Sequence, residues 1–213
     1  MLVVMRQAAS PDTPLAPPRA LYGWGQPTEA HDWTVEMFER LPADTWHYEL
    51  VEGRVVRMPP PSPHHGRLES RFDYLLRHFS EAHGLGETYV GESGWDLTRR
   101  GERKQTVLAS DVAFVRAERL PLPPPRRGRS YPPLAPDLVI EIASSSQARS
   151  DLGDKARHWL DRGVQVVWVA WPDRQEIDVW TPGVQEPRTL AGQDELTGGD
   201  IMPGLSVTVA SMW

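Results

Sequence analysis

Asp137-Leu138-Val139-Ile140-Glu141-Ile142-Ala143-Ser144-Ser145-Ser146 is the stretch whose reading decides the fold. Its alternation reads as a strand that is apolar on both faces. Leu138, Ile140 and Ile142 point one way; Val139, Glu141 and Ala143 point the other. Strands of this kind lie inside a sheet that other elements cover. Glu141 sits in the middle of the run, where a carboxylate is costly unless something pairs with it. A metal ion or a cationic side chain is the simplest partner, and the rest of the chain must supply it.

Downstream, a helix is expected from about Asp151 to Arg162, ended by Gly163, and then a second doubly buried strand from Gln165 to Trp171. Glu176 to Thr181 reads as a further strand, and Asp200 to Val209 as a last strand pair on the sheet edge. Upstream, Thr34 to Leu41 is a short helix with Thr34 as N-cap. Residues 48–58 form a hairpin that turns at Glu52-Gly53. A long helix runs from about His64 to His83, with Leu68, Phe72, Leu75, Leu76 and Phe79 at helical spacing and Gly84 as its stop. Two weak strands follow, Glu87 to Val90 and Gly94 to Leu97. A stronger one, Thr106 to Val115, is interrupted by Ser110-Asp111. Residues 117–136 hold seven prolines and read as a long loop. Residues 1–30 show no periodic apolar face and read as a flexible N-terminal arm on a single domain over 31–213. The element order predicts an α/β fold: a mixed sheet flanked by helices.

Composition narrows the function classes. At 213 residues the chain is long enough for one domain with a real core. There are no cysteines, which excludes disulfides and thiolate zinc sites and fits a cytoplasmic setting. No apolar run approaches membrane-span length. The net charge of −6 argues against a purely electrostatic nucleic-acid binder, but not against an enzyme whose acidic residues gather metal. Of the 23 basic residues only two are lysines, Lys104 and Lys155.

Lys155 carries information for that reason. At about 100° per residue it falls roughly 60° to one side of Leu152, at the edge of the helix's apolar face. A cation near a helix N-terminus opposes the helix dipole, so it needs an anionic neighbour, and Glu141 is the obvious one. Asp111 is the second acidic candidate, because it breaks an apolar run. Two carboxylates on neighbouring strands could hold a hard divalent ion, with water completing the shell. Asp137 is a poorer candidate. It shares a strand face with Glu141 but stands about 13 Å away at roughly 3.3 Å per residue, too far to share an ion. A strand-start hydrogen-bond acceptor suits it better. Glu49 on the hairpin could be an accessory carboxylate or a structural one. His65 could face the site from the start of the long helix, or simply cap it. Arginines at 99–103 and 126–129 could hold phosphates or line solvated loops. Ser144-Ser145-Ser146 lacks a nucleophile elbow and reads as turn chemistry.

Taken in order, these pieces resemble the Uma-type family of bacterial endonucleases, within the PD-(D/E)XK restriction-endonuclease-like superfamily. The resemblance runs from about Trp33 to the C-terminus. It includes the Tyr48-to-Gly53 hairpin, Pro61-Ser62-Pro63-His64-His65, Ser110-Asp111-Val112, Pro136 to Ser146, Asp151-Leu152-Gly153-Asp154-Lys155, Gly163 to Trp168 and Met202-Pro203-Gly204. It implies a restriction-endonuclease-like core with an extra N-terminal hairpin. Asp111 and Glu141 would bind metal, Mg²⁺ or Mn²⁺ in its place, and Asp111, Glu141 and Lys155 would be catalytic. It also implies a nucleic-acid substrate, DNA before RNA, and a homodimer that brings two sites to two strands. Two positions depart from the superfamily pattern. Ser110 stands where proline is usual, and Ala143 stands where the lysine is usual; Lys155 would take that role from the following helix. The alternatives are a non-catalytic nucleic-acid-binding or accessory protein of the same fold, or a metal-dependent hydrolase of another phosphate ester.

Overall fold

The computed structural model describes residues 32–41, 47–58, 60–126, 129–145 and 147–213. The expected arm lies outside them. The hairpin forms as read: β1 (His47–Val51) and β2 (Arg54–Met58) pair antiparallel around Glu52 and Gly53. Both turn residues have positive φ, 48° and 75°, as a two-residue hairpin turn requires. The short helix α1 (Val35–Phe38) is capped by the Thr34 side chain and packs Val35 and Phe38 under the hairpin with Leu50 and Val55.

The long helix α2 (Pro63–His83) begins at Ser62, whose hydroxyl accepts from the His65 N–H, and ends at Gly84 in the left-handed region. Its buried stripe Leu68, Phe72 and Leu76 covers one face of the sheet. β3 (Gly86–Asp96) joins the two weak segments of the sequence into one strand with an irregularity in the middle. β4 (Val107–Arg116) runs antiparallel to it along its whole length.

The decisive stretch is β5 (Leu138–Ile142), every residue of which is buried. It pairs antiparallel with β4 and parallel with β6 (Val166–Trp171). A parallel pair needs a crossover, and α3 (Arg149–Asp161) supplies it. Leu152, Ala156 and Trp159 of α3 cover the second face of the sheet, over Val139, Val167 and Val169. β7 (Glu176–Trp180) and β8 (Arg188–Ala191) complete the order β2-β1-β4-β5-β6-β7-β8, with β3 also on β4.

Near the C-terminus the structure differs from the sequence reading. Asp200 to Val209 is not a strand pair on the sheet edge. β8 holds that edge, while β9 (Glu195–Thr197) and β10 (Ser206–Thr208) form a separate two-stranded ribbon. Pro203-Gly204 breaks the run, and Ile201, Met202 and Leu205 turn inward to pack on the α2 side of the sheet. The described part of the proline-rich loop meets the buried Asp96, which pairs with Arg126 at 3.2 Å and Arg129 at 2.7 Å. Those two arginines are structural cations; Arg127 lies outside the described residues.

Candidate active site

β4 has three partner strands but only two edges. β3 occupies one edge throughout. On the other, β1 pairs at Leu50–Val107 and β5 only at residues 112–114. The two strands diverge between those points and leave a fork over Ala109 to Asp111. Side chains take up the backbone groups there. Glu49 Oε1 accepts from the Ala109 N–H at 3.0 Å, and Lys155 Nζ donates to the Ala109 carbonyl at 3.1 Å.

Every acidic residue expected at the site reaches this fork. Carrying the Val112–Ile140 register one pair further sets Asp111 opposite Glu141. Such opposed residues have Cβ atoms about 4.5–5.5 Å apart. Asp111 Oδ2 accepts from the Ile142 N–H at 2.6 Å. Lys155 Nζ lies 2.8 Å from Glu141 Oε2 and 2.9 Å from Glu49 Oε1. Three acceptors thus surround an ammonium that has three N–H bonds to give. Lys155, expected at the edge of the helix's apolar face, is buried there. The other Glu141 oxygen, Oε1, accepts from the Trp159 indole N–H at 2.7 Å. His65 both takes the Ser62 cap on its backbone and brings Nε2 to 3.1 Å from Asp111 Oδ1. Asp137 stands apart at the other end of β5. It accepts from Arg116 and Gln165 and pairs with Arg119, a strand-start acceptor as expected.

The electrostatics follow from crowding. Burial pushes Glu141 up to about 8, with Asp111 and Glu49 adding to the shift and Lys155 opposing it. Burial also works against the Lys155 ammonium, but Glu141, Glu49 and Asp111 outweigh it and hold the group firmly charged. At His65, burial is likewise outweighed by Asp111, Glu69 and Glu141, so its pKa rises above the ordinary histidine value. Among the described residues, no three histidine or acidic side chains are arranged to hold a metal by themselves.

Three contributors were missed by the sequence reading. Glu92 stands on β3 where two residues, Gly91 and Glu92, face the single Asp111. Burial, then Asp111, raises its carboxyl to about 7. His47 on β1 pairs with Glu92 through Nδ1. Trp159 lies on the apolar face of α3, and its indole holds Glu141. For Glu92 a signal existed: Gly91-Glu92 is where strand alternation fails between two short runs, as a β-bulge does.

Comparison with known proteins agrees with the architecture. No curated protein matches the chain. A crystal structure described as a "putative nuclease belonging to DUF820", from Anabaena variabilis, superposes with a TM-score of 0.69 at 20% identity, covering 84% of this chain and 96% of that one. At that identity it shows the fold, which is of restriction-endonuclease type. The Uma2 family model, described as "Putative restriction endonuclease", matches residues 35–210, and the chain belongs to that family.

Proposed function

We propose that the chain is a metal-dependent nuclease that hydrolyses phosphodiester bonds of nucleic acid, DNA first, with Mg²⁺ held by Asp111 and Glu141 and Mn²⁺ able to replace it. One observation carries this reading. Glu49, Asp111 and Glu141 converge on a fork that holds a single buried ammonium, Lys155. Three carboxylates face one lysine and one imidazole, His65 on Asp111, which leaves the cluster short of positive charge. Burial, and after it the neighbouring Asp111 and Glu49, raise the Glu141 carboxyl well above the ordinary range, as expected of crowded carboxylates. A hard divalent ion fits the same deficit with oxygen donors and water. Family membership supports the reaction class.

When bound, such an ion polarises a phosphoryl oxygen and lowers the pKa of a bound water. The chain's own residues prepare the site. Trp159 and Lys155 hold the two oxygens of Glu141, and the Ile142 N–H and His65 hold those of Asp111, so both carboxylates are preorganised. With its N–H bonds all taken, Lys155 acts by charge: it offsets the negative charge that grows on the phosphate in the transition state.

The test is single-turnover cleavage of labelled DNA with and without Mg²⁺, beside Mn²⁺ titration calorimetry. Metal-dependent cleavage by the wild type and its loss in Asp111→Asn are expected. Mn²⁺ binding without cleavage of DNA or RNA would favour a hydrolase of another phosphate ester. Neither binding nor cleavage would favour the accessory-protein reading.

A further inference from the structure

The mechanism above leaves the β3 bulge without a task. Gly91 and Glu92 both adopt left-handed backbone, φ 73° and 55°. For a glutamate this conformation is uncommon, and such residues persist only where surrounding structure holds them. Two contacts do so here. The Gly91 N–H donates to Glu69 Oε1 at 2.6 Å, from the α2 face that also carries His65. The Glu92 carboxylate pairs with His47 Nδ1, from the first residue of β1. Bulges of this kind re-aim a side chain, often beside an active site. The re-aimed group here is a carboxylate, set against Asp111 by the strand register, that fixes an imidazole beside the cluster.

His47 differs from the other polar groups of the cluster in being open to solvent. Its side chain is 36% exposed, against 5% for Lys155, 4% for Glu141 and none for Glu49. A phosphodiester approaching Asp111 meets carboxylates. The lysine beneath them has spent its N–H bonds, and His65 is turned to Asp111. We propose that His47 is a substrate-contacting residue, its Nε2 hydrogen-bonding a phosphate oxygen of the nucleic acid, with Glu92 as the positioning residue that holds the ring through Nδ1. The pair presents an N–H from Nε2 when it carries two protons, one between ring and carboxylate and one on Nε2. This inference rests on the nuclease reading and extends it to the solvent side of the site.

The experiment uses the full chain and a fluorescein-labelled DNA duplex in Ca²⁺, which permits binding to be read by anisotropy without turnover. Cleavage in Mg²⁺ and the histidine NMR resonances are followed in parallel. His47→Ala should weaken binding about 10-fold, as loss of one hydrogen bond to a charged oxygen does, and should raise KM more than it lowers kcat. Its melting temperature should stay near the wild-type value, because the ring is half exposed. In the wild type, the His47 resonances should move on addition of DNA. Glu92→Gln should shift those resonances in the free protein and weaken binding about 3-fold. Wild-type binding and KM in His47→Ala overturn the contact while leaving the nuclease reading intact. An unchanged His47 resonance in Glu92→Gln overturns the positioning role. A wild type that neither binds nor cuts DNA or RNA overturns both the contact and the reading beneath it.

Discussion

The two ends of β5 each bury a carboxylate, and they treat it oppositely. At the start, Asp137 is met by two arginines, Arg116 at 3.0 Å and Arg119 at 2.8 Å, and by the amide of Gln165. Arg116 also reaches Glu118 at 3.2 Å, so two carboxylates face two arginines. At the other end, Glu141 shares a single lysine with Glu49, and Asp111 stands beside them. The first arrangement is complete as it stands and holds β4 to β5. The second is a cluster with too little positive charge, maintained by the packing of α3 and the fork around it. Buried ion pairs are weak evidence for stability, whereas carboxylates with strongly perturbed titration cluster at functional sites.

The sharpest test is to remove the lysine. Lys155→Ala should lower single-turnover cleavage by about 10²-fold or more. Burial adds a second expectation that helix angle alone did not suggest. Stranding Glu49 and Glu141 should cost roughly 3–5 kcal/mol in urea unfolding. Adding Glu141→Gln should recover part of that stability and none of the cleavage. Lys155→Arg should not restore the rate, since a planar guanidinium cannot meet the three acceptors of an ammonium.

The same operation at the balanced end should separate fold from function. Asp137→Ala removes a buried acceptor whose arginines remain partly solvated, so the loss should be smaller, about 2–3 kcal/mol. Cleavage per folded molecule should be unchanged. A loss of turnover in the folded fraction would show that the two ends are not independent.

Metal should stabilise only one end. At about 100 times its dissociation constant, Mn²⁺ should add about 2.7 kcal/mol to wild-type stability. A thermal-shift series should retain that gain in Asp137→Ala and lose it in Asp111→Asn.

The smallest expected effect is a pH slope. Glu92 has its carboxyl raised to about 7, by burial first and then by Asp111, from an ordinary value of 4.5. A group raised on folding holds more protons in the native than in the unfolded state between those two values. Its contribution is therefore full below about pH 4.5 and is lost as pH rises through about 7. In metal-free protein the full shift would correspond to about 3 kcal/mol, which solvent screening of a partly exposed group reduces to a decline on the order of 1–2 kcal/mol across that window. The decline should be flatter in Glu92→Gln; an equal slope in both proteins would assign it to other groups.

How far the sequence could be read follows the same divide. Glu141 announced itself because a charge inside an apolar strand violates a local pattern, and Asp111 did so by interrupting a second strand. Lys155 stood out by its rarity and helical position. Each signal lies within one element. His47 violates no local rule, and the break in alternation at Gly91-Glu92 marks a bulge or a turn equally well without saying what the glutamate meets. Their importance comes from register: a bulge that sets two residues against Asp111, and a strand start that reaches across β4. The Trp159 indole shows the same limit, since periodicity reports which side of a helix is buried, not what its one polar atom meets. The C-terminal segment was misread for a related reason. Apolar alternation there served a turn packed on α2, and Pro203-Gly204 was the local mark against a continuous strand.

The fork between β1 and β5 has a consequence for hydrogen exchange. An amide in the middle of a sheet ordinarily exchanges only when a neighbouring strand comes away, which ties its rate to sub-global unfolding. The Ala109 amide is instead protected by the carboxylate of Glu49, and the carbonyl of the same residue by Lys155. Its protection is therefore governed by the charge cluster and not by a strand ladder. It should respond to any event that draws Glu49 or Lys155 away, while the flanking amides of β4 keep the slow exchange of the core. One backbone proton in the interior thus serves as a local clock for the state of the site, readable without substrate or turnover.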